Sequence, residues 1–148
     1  MERELFTKLE RWMKKKNRKP LIIQGARQVG KTWIMKEFGA RFYENTVYIN
    51  FDNNKAMKDV FELDFDLKRI LSAIKIEYGK SFQAENTLII FDEIQEAPKA
   101  LASLKYFYEN VATVFYYCSR FIARCCIASG NVLSGGKSGF FKTLSNEF

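Results

Sequence analysis

Residues 25–32 read Gly-Ala-Arg-Gln-Val-Gly-Lys-Thr, the pattern G-x-x-x-x-G-K-[ST]. An apolar run, Leu21-Ile22-Ile23, precedes this segment, and a helix-like stretch, Trp33 to Phe38, follows it. Strand, glycine turn and helix start, in that order, form a cradle for phosphate. The two glycines let the backbone curl so that successive N–H groups converge on phosphate oxygens. The N-terminus of the helix adds its partial positive charge at the same point. Gly25, Ala26, Arg27, Gln28, Val29, Gly30, Lys31, Thr32 and Trp33 are therefore the expected nucleotide contacts. Within them, Lys31 is expected to reach the β- and γ-phosphates of ATP, and the Thr32 hydroxyl to ligate Mg²⁺. The plainer alternative is a glycine turn capped by a surface lysine.

The chain has 148 residues, 47% of them hydrophobic, which is the size and composition of one globular domain. No apolar run reaches membrane-spanning length, and the N-terminus is charged rather than signal-like, so a cytoplasmic protein with no membrane partner is expected. The absence of histidine removes His-based zinc sites, His general bases and Cys–His dyads. The three cysteines, Cys118, Cys125 and Cys126, include an adjacent pair, which argues against a disulfide framework. The net charge of +7 is concentrated early: residues 1–41 hold 12 Lys/Arg against 4 Asp/Glu, with a cluster at 14–19. Such a cluster can attract nucleic acid or the nucleotide's own phosphates, and more often is a solvated helix end. No base-reading motif accompanies it.

Periodicity supplies the frame. Leu5, Leu9, Trp12 and Met13 predict a helix over 3–16, and Leu21–Gln24 a buried strand. Thr46–Phe51 alternates as a second strand, 61–78 reads as one helix, Thr87–Phe91 as a strand buried on both faces, and 98–110 as a further helix. Alternating strands and helices imply an α/β fold with a mostly parallel sheet between two helical layers.

The buried strand ends in Asp92-Glu93. Four apolar residues followed by two carboxylates at a strand's carboxyl end match the second half of a nucleotide-hydrolysing site, the Walker B pattern. In a parallel sheet the strand ends gather together, so Asp92 can lie beside Thr32 across about 60 residues of sequence. Asp92 is expected to hold Mg²⁺ and Glu93 to polarise the attacking water. The metal keeps the first carboxylate ionised and leaves the second free to act as base. Small nucleoside kinases share the phosphate loop but need no such base, since their acceptor is not water. The Asp92-Glu93 pair therefore favours ATP hydrolysis.

Lys19 to Thr32, Val47 to Phe51, Phe91 to Pro98 and Leu104 to Phe107 together resemble a family of bacterial and archaeal AAA-superfamily ATPases that often carry a nuclease-like C-terminal domain. The resemblance covers residues 1–110. It implies a P-loop ATPase core in which Gly25 to Thr32 bind ATP phosphates, Asp92 binds the metal and Glu93 is the catalytic base. It also implies the self-association common among AAA proteins. Members of the family continue into a fourth strand ending near Gly-Ser-Leu-Leu-Gly, whose serine holds a sensor-like position, and then into a further domain.

Residues 111–148 depart from that pattern. All three cysteines and half of the eight glycines fall there, with Glu147 the sole acidic residue. Ordinary codons for this stretch, read one base later, encode a peptide containing Tyr-Phe-Ile-Ile-Ala-Ala-Gly-Ser-Leu-Leu-Gly. The expectation is a one-base insertion near the Asn110 codon, giving a core over 1–110 and an aberrant, out-of-frame tail, so that the fold is incomplete at the C-terminus. The alternative is a genuinely divergent tail. Val111–Tyr117, apolar and β-prone, is expected to fill the fourth-strand slot beside the phosphate-loop strand, and Ser129 to Gly139 to be unstructured. With the sensor serine missing, Arg120 and Arg124 are the remaining candidates for charge stabilisation, and hydrolysis is expected to be weak or absent.

Three functional readings compete. An ATP–Mg²⁺ binder is stabilised thermally by its ligand through mass action. A non-functional, poorly folded remnant is not. A basic nucleic-acid-binding module would bind DNA with a steep salt dependence that survives Lys31→Ala.

Overall fold

The computed structural model describes residues 2–15, 19–25, 30–79, 87–109, 123–129 and 142–145. Helix α1 (Glu2–Met13) leads into strand β1 (Leu21–Gly25), and α2 (Lys31–Phe42) leads into β2 (Asn45–Asn50). Two helices follow, α3 (Lys55–Leu63) and α4 (Leu67–Tyr78), then β3 (Thr87–Asp92), a short 3₁₀ turn (Ile94–Glu96) and α5 (Pro98–Glu109). Strands β4 (Ala123–Ser129) and β5 (Lys142–Ser145) complete the described elements.

The five strands are all parallel and run in the order β2-β3-β4-β1-β5. Strand alternation splits the apolar residues between the two faces of the sheet. Leu21, Ile23, Leu88 and Ile90 pack with Leu5, Leu9 and Trp12 of α1 and with Ile34, Met35 and Phe38 of α2. Ile22, Val47, Ile49, Ile89 and Phe91 face the other way, against Met57 and Phe61 of α3, Ile70 and Ile74 of α4, and Leu104 and Phe107 of α5. The result is the expected α/β three-layer sandwich.

Two local readings change. The predicted helix over 61–78 is two helices, broken at Asp64-Phe65-Asp66. Asp64 adopts an extended backbone, and the Asp66 side chain caps α4 by accepting from the Lys68 N–H at 3.0 Å. Asn54 caps α3 in the same way through the Met57 N–H. Capping thus outweighs the continuous apolar stripe that suggests one helix. The second change concerns the slot between β1 and β3. It holds Ala123–Ser129, and Val111–Tyr117 lies outside the described residues. The sequence Ala-Arg-Cys-Cys-Ile-Ala-Ser is mostly small and apolar, a composition that a central strand accepts. Ser129 ends this strand rather than opening a loop, and β5 was not expected from the sequence.

Candidate functional site

The site forms at the carboxyl ends of β1, β2 and β3, where α2 begins. Gly30 stands before α2 with φ 79°, a left-handed conformation open to glycine at little cost. It turns the chain from β1 into the helix, so that Lys31 and Thr32 occupy the first turn of α2. Gly25 is the last residue of β1, and Ala26, Arg27, Gln28 and Val29 lie outside the described residues. Trp33 is in the same turn but is 55% exposed.

Lys31 is buried, with 6% of its surface exposed. Burial pulls its ammonium below the ordinary lysine range, and the charges of Glu93 and Asp92 offset part of that shift. A buried cation at a helix N-terminus gains nothing from the helix dipole, which favours anions there.

Asp92 sits opposite. On β3 it shares the α2-facing side with Leu88 and Ile90, and its residue pair across the sheet is Asn50 at the end of β2. Its carboxylate is buried and accepts from three donors. Oδ2 accepts from the Thr32 hydroxyl at 2.9 Å and from the Tyr48 hydroxyl at 2.6 Å, and Oδ1 accepts from the Glu93 N–H at 3.0 Å. Thr32 and Asp92, 60 positions apart in sequence, are therefore in direct contact. Glu93 follows with φ 51° and ψ 40°, a left-handed conformation that costs a non-glycine residue about 1–3 kcal/mol. Its side chain accepts from the Gln95 amide. Glu93 is the one non-glycine residue with positive φ among the described residues, and it falls at the strand end beside Lys31 and Asp92.

The profile of the AAA domain family matches residues 17–120, more than two thirds of the chain. The chain belongs to the AAA domain family. The match runs ten residues past the stretch that carries the motif resemblance. Among solved structures the chain is similar to Caenorhabditis elegans PCH-2, at 12% identity and a TM-score of 0.54, over 97% of this chain and 42% of that one. It is similar also to the Thermotoga maritima RuvB Holliday junction branch migration motor, at 13% identity and a TM-score of 0.51, over 97% of this chain and 44% of that one. At those identities the likeness is one of fold, and the chain spans less than half the length of either structure. No curated protein matches the sequence. Membership in this family places the chain among P-loop, nucleotide-binding folds, AAA in type.

Of the residues singled out from the sequence, Lys31, Thr32, Asp92 and Glu93 come together, and Gly30 and Gly25 bracket them. Three neighbours carry no motif signature: Tyr48, Asn50 and Gln95. A signal for the first two is present in β2, where Thr46, Tyr48 and Asn50 alternate with buried Val47, Ile49 and Phe51. A polar face on the strand beside β3 marks residues turned toward α2. Among the described residues no helix is long and apolar enough to cross a membrane.

Proposed function

We propose that this domain binds ATP together with Mg²⁺ at the Lys31–Thr32–Asp92–Glu93 cluster and hydrolyses it slowly. The carrying observation is the 2.9 Å contact between the Thr32 hydroxyl and the Asp92 carboxylate, beside a buried lysine.

The donor set fits Mg²⁺. A hydroxyl and a carboxylate oxygen are hard ligands, and Mg²⁺ in nucleotide sites takes one or two such groups, completing its shell with phosphates and water. Among the described residues there is no group of three or more His, Cys, Asp or Glu able to hold a metal. The metal is thus expected to arrive with the nucleotide and not alone. When bound, it supplies neutralisation of phosphate charge. Lys31 supplies a second positive centre beside the metal in this reading. Backbone N–H groups of Gly25 to Thr32, with Trp33 following, line the phosphate path in this reading. Glu93 orients and polarises the attacking water, with Gln95 holding its carboxylate until then. Residues 1–110 form the ATPase core in the same proposal, and 111–148 an aberrant tail that fills the fourth-strand position with Ala123–Ser129.

Self-association and nucleic-acid contact by the basic segment at 14–19 extend the reading. RuvB is described as a Holliday junction motor, and Lys14 and Lys15, just after α1, are exposed.

The test is ATP turnover by the wild type and by Glu93→Gln. A general base contributes about 10²–10⁴-fold, so the variant is expected to bind ATP–Mg²⁺ normally and lose turnover by that factor. Equal turnover in both proteins would remove Glu93 from the mechanism.

A further inference from the structure

Tyr48 has no place in the phosphate-loop or Walker B patterns, yet it makes the shortest described hydrogen bond to Asp92. Its hydroxyl donates to Asp92 Oδ2 at 2.6 Å, the distance of a charge-assisted O–H···O⁻ bond. The geometry of the sheet explains the reach. Tyr48 pairs with Ile90 across β2 and β3, and Asp92 is the diagonal neighbour two residues on. That separation suits a long side chain and not a short one. The ring is fixed on its other side by Lys36 of α2, whose Nζ stands 3.8 Å from the ring centroid. Lys36 lies one helical turn beyond Thr32, so α2 supplies both Thr32 to the carboxylate and a cation to the phenol ring. The Asn50 amide donates to the phenol oxygen at 3.5 Å.

We infer that Tyr48 is a positioning residue for the metal site: it holds the Asp92 carboxylate in the orientation that presents it to Mg²⁺ beside Thr32. The inference rests on the ATP–Mg²⁺ reading above. Asp92 Oδ2 has two hydroxyl donors, and they differ in what nucleotide binding asks of them. The Thr32 oxygen is wanted by the metal in this reading, whereas Tyr48 stands on β2, outside the phosphate loop. Oδ1 is occupied by the Glu93 N–H. With Tyr48 in place, neither oxygen is free to rotate away when Thr32 turns to the metal. Groups that orient a metal ligand in this way commonly set metal affinity by about 10–100-fold.

The experiment is a Mg²⁺ titration of ATP binding, read by calorimetry, on the full chain and on Tyr48→Phe, with a parallel ATP titration in EDTA. The variant removes one oxygen and keeps the ring under Lys36. The expected result is a Mg²⁺ midpoint raised about 10-fold, metal-free ATP affinity unchanged, and thermal unfolding of the ligand-free protein unchanged within a few degrees. An unchanged Mg²⁺ midpoint overturns the inference, as does an equal loss with and without metal, which would mark Tyr48 as part of the fold or of the nucleotide pocket. Wild-type protein that shows no Mg²⁺-dependent ATP binding instead refutes the functional reading beneath it.

Discussion

Gly39 lies in the second half of α2, where the helix rests on β2. A Cβ built there would overlap Thr46 Oγ1 and come within 2.8 Å of Thr46 Cγ2 and 3.2 Å of Leu88 Cδ2. The first two atoms belong to a β-branched side chain with little rotamer freedom. Gly39→Ala therefore sets two effects against each other. Alanine in place of glycine in a helix gains about 1 kcal/mol. Forcing a methyl into this contact costs about 1–3 kcal/mol. The net expectation is a loss of about 1 kcal/mol, or about 3 °C in Tm for a chain of this size. Thr46→Ala removes both clashing atoms. It also removes Thr46 Oγ1, which is buried without a hydrogen-bond partner, so the lost methyl and the relieved hydroxyl roughly cancel. On the Thr46→Ala background, Gly39→Ala should accordingly stabilise by about 1 kcal/mol. Urea denaturation of the four proteins in this cycle reads the coupling directly. The same shift for Gly39→Ala in both backgrounds would refute the reasoning and show that α2 does not bear on Thr46. The contact matters beyond stability, because α2 carries Thr32 to Asp92 from its other end.

The ionisation of Lys31 gives a pH prediction. Its pKa is lowered in the free protein by burial, and bound phosphate raises it again, so nucleotide binds the protonated form better. Affinity is then fully present below the free-state pKa and falls as pH rises through it, with the decline starting below the ordinary lysine range. Calorimetry between about pH 7 and 10 should show that decline together with proton uptake on binding, and a flat profile without proton uptake would contradict it. An out-of-frame origin of residues 111–148, as proposed above, predicts that the gene, read one base later from the Glu109 codon onward, encodes Gly-Ser-Leu-Leu-Gly and further sequence of the family type. DNA lacking that peptide would make the tail native.

Much of this architecture is visible in the sequence for a physical reason. Leu21–Ile23 and Leu88–Phe91 are continuous apolar runs because both faces of their sheet are covered by helices. The Thr32–Asp92 contact could be anticipated because a parallel sheet gathers strand ends whatever lies between them in sequence. Legibility ended where local hydrogen bonds or long-range packing decide. The break between α3 and α4 rests on one capping carboxylate, Asp66, inside an apolar stripe that by itself reads as unbroken. The identity of the central strand depends on which tail segment pairs with β1 and β3, and apolar stretches at 111–117 and 123–129 compete for that slot on composition alone. The Tyr48–Asp92 contact is not legible in the sequence, because it runs along a diagonal across two strands that no spacing within β2 reveals. The left-handed backbone of Glu93 is likewise silent in a motif that records only the carboxylate.

Lys31, Thr32 and Asp92 are proposed to form one site for ATP–Mg²⁺. The most direct test is calorimetric titration of ATP, with Mg²⁺ present, into the wild-type chain and into Lys31→Ala. A hydrogen bond to a charged group contributes about 1.5–3 kcal/mol, or about 10–100-fold in affinity. The account predicts saturable binding by the wild type, weakened by at least that factor in the variant. Binding of equal strength by both proteins, or by neither, would contradict it.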